Sequence, residues 1–264
     1  MVPGLGLSSY MYMATPDGRL GWAQLFAKRG YAVYVFDDPL TAPSGFDVSP
    51  FNALKAGQTP AANVPNLAIW SNEVIWQRWG FGAVAGQPYD DTRFPVTHVD
   101  QFQRAMPPRS APAGDAQGTG LDALKVRALL ALLERVGPCI LVTHSAGGST
   151  GFDANLQKPN LVKAMVVLEP TGCPTEQAAV TNGFKDKSFL AVYGDYIQSR
   201  GQTGRLTACR TTANLVRGLG NTGETIVLPE MGIRGNTHLF TQDNNSDEIA
   251  RMVLRWLETN VRAN

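Results

Sequence analysis

The chain has 264 residues, 44% of them hydrophobic and 17% charged, which is enough to bury one large core at the upper end of single-domain size. Its 23 Lys and Arg stand against 22 Asp and Glu, so the net charge is +1 with no basic cluster, and neither nucleic acid nor an anionic membrane is expected as a partner. Apolar runs such as Ala164 to Leu168 are far too short to span a bilayer, and no signal-peptide pattern is visible at the start.

In chain order, Gly21 to Arg29 reads as a helix, because its apolar residues fall at helical spacing and Gly30 follows as a C-cap. Tyr31 to Phe36 is β-rich and ends in the turn signal Asp37-Asp38-Pro39, so it is predicted as a strand. Residues 40 to 118 break the rhythm: they are rich in Pro, Gly and aromatics, with one helical stretch around Asn66 to Trp79. Leu121 to Val136 is an amphipathic helix stopped by Gly137-Pro138, and Cys139 to Thr143 is a short buried strand. Then helix and strand alternate: helix Gly151 to Lys158, strand Lys163 to Leu168, strand Ser188 to Tyr193, helix Thr207 to Leu219, strand Glu224 to Leu228, helix Ser246 to Val261.

Such alternation predicts an α/β fold with a mainly parallel sheet covered by helices on both faces. The block 40–118 is expected to be a cap-like insertion within a single domain 1–264, over the sheet edge where ligands bind in open α/β folds. Of the cysteines, Cys139 reads as a buried thiol, while Cys173 and Cys209 stay open between free thiols and a disulfide.

The strongest chemical signal is Thr143-His144-Ser145-Ala146-Gly147, directly after a buried strand and before a helix. A sharp strand-to-helix turn that lifts one hydroxyl needs small neighbours, and Ala146 and Gly147-Gly148 supply them, although Thr143 stands two before the serine where the usual pattern has Gly. The Ala146 N–H falls at a helix start and would point at a developing oxyanion. A serine hydroxyl needs a base. Of three histidines, His238 lies in a loop between the last strand and the last helix, where the order Ser, acid, His places it; His144 adjoins the serine and is read only as a weak pocket candidate, and His98 precedes the nucleophile. Two carboxylates end strands between them, Glu169 and Asp195, and position alone favours Asp195. Three scattered histidines and no phosphate-binding glycine loop lead to no expected metal and no expected cofactor.

The sequence resembles a bacterial branch of α/β-hydrolase-fold serine esterases with a Ser-Glu-His triad. The resemblance runs over almost the whole chain, through Thr15-Pro16-Asp17-Gly18-Arg19, Arg29-Gly30-Tyr31, Thr92-Arg93-Phe94-Pro95-Val96, His144-Ser145, Val167-Leu168-Glu169-Pro170, Gly172-Cys173-Pro174, Tyr193-Gly194-Asp195, Ala208-Cys209, Gly235-Asn236-Thr237-His238 and Gln242-Asp243-Asn244-Asn245. It implies the α/β-hydrolase fold, a small-molecule ester substrate, a homodimer, and Glu169 rather than Asp195 as the acid. It also supports pairing of Cys173 with Cys209, and with it a periplasmic or secreted setting; without that bond the expectation is cytoplasmic. It assigns the second oxyanion donors to Leu5 and Gly6, in a loop where relatives carry His-Gly and this chain has Pro3-Gly4. Relatives have strands ahead of that loop that are expected to be missing here. The aromatics of the insertion offer pocket walls, Trp76 and Trp79 first among them. The expected function is ester hydrolysis through an acyl-enzyme. The rivals are C–C bond hydrolysis or lyase chemistry on the same triad, and a non-catalytic binding protein of the same fold.

Overall fold

The computed structural model describes residues 1–111 and 122–261. The elements run α1 (Tyr10–Met13), α2 (Trp22–Ala27), α3 (Ser49–Lys55), β1 (Asn66–Ala68), α4 (Asn72–Arg78), α5 (Val99–Arg104), β2 (Arg109–Ala111), α6 (Asp122–Val136), β3 (Cys139–His144), α7 (Gly147–Gln157), β4 (Val162–Leu168), α8 (Gln177–Phe184), β5 (Ser188–Tyr193), α9 (Thr203–Gly218), β6 (Gly223–Val227) and α10 (Ser246–Asn260).

Strands β3-β4-β5-β6 form one parallel sheet in sequence order. Alternate residues of each strand enter two different cores, as the two-residue period of a strand buried on both faces requires. Val142, Val166, Leu168, Leu190 and Val192 pack with Trp22 and Phe26 of α2 and with Ile249, Val253 and Leu257 of α10. Leu141, Met165, Val167, Phe189 and Ala191 face Leu129 and Leu133 of α6, Phe152 of α7 and Ala213 and Val216 of α9. The α10 contacts recur at three- and four-residue spacing, so one stripe of that helix is buried.

Three sequence expectations are corrected. Tyr31–Phe36 alternates in burial like a strand but forms no ladder among the described residues; its backbone bonds Met1, through Met1 N to Tyr34 O at 2.8 Å and Phe36 N to Met1 O at 2.9 Å, and Tyr31 N donates to Phe26 O at 3.3 Å. A β-rich segment becomes a strand only beside a neighbour long enough to bond it. Here the neighbouring backbone contributes two bonds, both at Met1, and Val2 beside it makes one parallel bridge to Thr143. A groove of about 800 Å³ lies between this segment, α6 and β3. The helix expected over Asn66–Trp79 starts only at Asn72, because Asn66–Ala68 pairs antiparallel with Arg109–Ala111, a partner that local periodicity could not reveal. Cys139, read as a buried thiol, is half-buried and borders the groove. The predicted insertion 40–118 lies in part outside the described residues. Cys173 and Cys209 are joined in a disulfide with Cα atoms 4.9 Å apart. Among the described residues no helix is long and apolar enough to cross a membrane.

Candidate active site

Parallel pairing puts the ends of β3, β4 and β5 at one level, His144 beside Leu168 and Leu168 beside Val192. The residue after each of the first two strands continues the ladder by one bond, Ser145 N to Leu168 O at 3.0 Å and Glu169 N to Val192 O at 2.9 Å. Both then turn into the left-handed region, Ser145 at φ 50° and Glu169 at φ 41°. Non-glycine residues reach this conformation at a cost and hold it where the surroundings impose it. The strain presents two side chains, one hydroxyl and one carboxylate, on neighbouring strand ends.

The space the turn needs comes from α7. A Cβ on Gly147 would strike the carbonyl oxygen of Pro3, one on Gly148 would lie 2.6 Å from Pro170 Cβ, and one on Gly151 would lie 2.7 Å from Thr143 Cγ2. Thr143 can therefore stand where glycine is usual, since Gly151 makes the room opposite it.

Glu169 is fully buried and accepts three hydrogen bonds. Its Oε1 takes the Gly194 N–H at 2.8 Å, and its Oε2 takes both His238 Nδ1 at 2.6 Å and Arg200 Nη1 at 2.8 Å. Burial works against the carboxylate, but the Arg200 guanidinium and the His238 imidazole outweigh it and hold Glu169 below the usual glutamate range. His238 is pulled the other way, below the ordinary histidine range, by burial and then by Arg200, which together outweigh Glu169. Nδ1 donates to the carboxylate, which leaves Nε2 as the basic nitrogen.

The loop carrying His238 is clamped on every side. Asp195 N donates to Asn236 O at 2.7 Å, and Asp195 Oδ2 accepts from Gly235 N at 3.1 Å. Asp243 accepts from Thr237 N at 2.7 Å and Thr237 Oγ1 at 2.8 Å. Arg19 donates to the carbonyls of Gln242, Asp243 and Asn244. The His238 N–H goes to Trp79 O at 2.9 Å, and the His238 carbonyl accepts from His144 Nε2 at 2.9 Å. Segments far apart in sequence thus serve one purpose, the fixing of one imidazole. Asp195, favoured by position alone, braces this loop and makes no hydrogen bond to the imidazole.

Ahead of the serine, the loop Pro3–Ser8 passes over the elbow. A Cβ on Gly4 would lie 2.7 Å from His144 Nδ1 and 2.8 Å from Ser145 Cβ, and one on Gly6 would lie 2.9 Å from the Trp70 ring. The N–H groups of Leu5, Gly6 and Ala146 make no hydrogen bond among the described residues. Buried or half-buried N–H groups without partners are uncommon away from sites that bind something. Gly4→Ala is expected to push this loop off the serine, lowering kcat/KM by about a hundredfold, the scale of one lost oxyanion donor, at nearly unchanged fold. Kinetics beside circular dichroism checks this.

Other candidates fall elsewhere. Trp76 and Trp79 are buried in a ring cluster with Phe81, Phe94 and Phe102, so their side chains are core; Trp79 reaches the site through its carbonyl alone. His144 is buried with its ring 4.5 Å from that of His238, and its Nε2 supports the histidine loop. His98 is exposed. Arg200 is marked by no local signal in the sequence and comes from a loop brought in by tertiary packing, and Trp70 is one of the insertion aromatics offered as pocket walls, behind Trp76 and Trp79. No hydrogen bond joins Ser145 Oγ to His238 here, a bond that often tightens only with substrate bound. Among the described residues no group of three or more His, Cys, Asp or Glu could hold a metal ion.

No family model matches the chain. It is 29% identical to a bacterial esterase of known structure, with a TM-score of 0.88 over 99% of this chain and 80% of that one. The chain has the α/β-hydrolase fold. It is also 26% identical to a probable secreted lipase, phiG, of Fungal sp. (strain ATCC 74256), over 97% of this chain and 80% of that protein.

Proposed function

We propose that the protein is an esterase that cleaves small carboxylic esters in two steps through a Ser145-His238-Glu169 triad. His238 Nε2 takes the proton of Ser145 as Oγ attacks the ester carbonyl, and the same proton passes to the departing alcohol as the acyl-enzyme forms. Water, activated by His238, then breaks the acyl bond and restores the serine. Glu169 holds the imidazole in the tautomer that leaves Nε2 free and stabilises its charged form. The free N–H groups of Ala146, Leu5 and Gly6 stabilise the tetrahedral oxyanion.

The observation that carries this reading is the Glu169–His238 contact of 2.6 Å, on the strand end next to a serine held at positive φ. In the same reading, the described part of the predicted insertion, residues 40–111, forms a cap, and Trp70, which lies beside Gly6 with Arg78 4.4 Å over its ring, contacts the acyl part of the ester. The Cys173–Cys209 bond suits an oxidising compartment, so the esterase acts outside the cytoplasm. A fluorophosphonate probe tests the nucleophile: one label per chain, mapped to Ser145 and absent from Ser145→Ala, is expected. A label on any other serine overturns the assignment.

A further inference from the structure

Arg200 has no counterpart in the triad as drawn above, yet it is built into it. Its side chain is 5% exposed and shares Glu169 Oε2 with His238. Its Nε donates to Arg78 O at 3.3 Å, and its Cδ lies against Gly80, where a Cβ would stand 2.9 Å away. Gly80 follows Trp79, whose carbonyl takes the His238 N–H. The guanidinium therefore ties the loop after β5, the end of α4 and the carboxylate into one contact set.

We infer that Arg200 is a positioning residue for the hydrolysis: by sharing Oε2 it holds Glu169 ionised and in one rotamer, and it keeps His238 uncharged, ready as a base, in acidic solution. This rests on the triad proposed above. Burying a carboxylate beside a neutral imidazole alone would leave an uncompensated negative charge, which invites a proton onto the imidazole. The guanidinium cancels that charge from the same oxygen, so protonating His238 would create a net buried cation. Both effects have the same sign, and a base that stays neutral to lower pH moves the acid limb of kcat/KM to lower pH. The sign agrees with the lowered His238 titration, in which Arg200 acts second to burial.

The other ionisable groups around His238 are the same in every Arg200 variant. His144 of β3 is itself kept neutral by burial, Arg205 of α9 acts on His238 in the same direction as Arg200 but more weakly, Asp195 bonds the backbone of the loop, and Asp243 bonds Thr237 and Asn236 rather than the ring. Comparing variants thus isolates Arg200.

The test is the pH profile of kcat/KM for p-nitrophenyl acetate, in wild type, R200M, R200Q and R200K. The wild-type acid limb is expected below the ordinary histidine value of about 6.5. In R200M the limb should rise by about one unit, so that at a pH below both limbs the rate relative to pH 8 falls about tenfold, and R200K should restore most of it. If R200M does not fold, R200Q, which keeps polar contacts without the charge, carries the same comparison. Titration of the His238 ring by NMR in Ser145→Ala, with and without R200M, reads the same shift without needing turnover. An unmoved limb and an unmoved ring titration, with only stability lowered, overturn the inference and leave the triad standing. Absence of serine-dependent turnover in wild type removes the triad instead, and the NMR arm still decides the coupling of Arg200 to His238.

Discussion

Ser145→Ala should lose about 10⁴- to 10⁶-fold in kcat and keep its melting temperature. The rate loss follows from the proposed chemistry, since the hydroxyl is the atom that bonds the acyl carbon and no other side chain can take that place. The unchanged stability follows from geometry. Ser145 sits at φ 50°, and alanine meets the same backbone penalty there as serine, because both carry a Cβ. The hydroxyl makes no hydrogen bond among the described residues, so its removal leaves no donor or acceptor stranded. The measurement is release of p-nitrophenol from short and medium p-nitrophenyl esters, beside a thermal melt. Retained turnover in the variant refutes the mechanism. A folded wild type that turns over nothing shifts the reading to a non-catalytic relative of the fold.

Glu169→Gln should lower kcat about 10⁴-fold, the scale of a histidine held in the wrong tautomer, while Asp195→Asn loses less than about tenfold. The difference lies in what each carboxylate receives. Glu169 accepts from three donors at once, and a glutamine has only one oxygen. If that oxygen faces His238 and Arg200, the amide NH₂ points at the Gly194 N–H; if it faces Gly194, the NH₂ meets the imidazole and the guanidinium. Either way donors oppose donors, and the buried Arg200 loses its counter-charge, which costs about 3–5 kcal/mol of stability. The variant should therefore also melt earlier. Asp195 is half-exposed and accepts from Gly235 N and Tyr196 N, so an asparagine loses one backbone bond, worth about 1 kcal/mol. Kinetics at pH 8 with melts of both variants measure this pair, and the reverse ranking would make Asp195 the acid.

The positions of these groups were partly legible in the chain. The buried strand Cys139 to Thr143 running straight into Ser145 located the elbow, because a two-residue period gives way there to small residues before a helix. His238 was found by its place after the last strand. Glu169 was named only through the resemblance: local pattern sees a carboxylate after β4 and another after β5, and cannot tell which one an imidazole from β6's loop will meet.

Periodicity, strand length and glycine spacing by themselves determined the parallel sheet β3–β6, the helices α6, α9 and α10 to within a few residues, and the serine turn. These depend on contacts repeated every two or every three to four residues, which the chain writes locally. The ladder missing from Tyr31–Phe36, the pairing of Asn66–Ala68 with Arg109–Ala111, the burial of Trp76 and Trp79 as core, and the convergence of Arg200, Gly194 and His238 on one carboxylate were decided by tertiary structure alone. Each depends on which segment, tens or more than a hundred residues away, comes to lie alongside, and a hydrogen bond across such a distance leaves no period in the sequence.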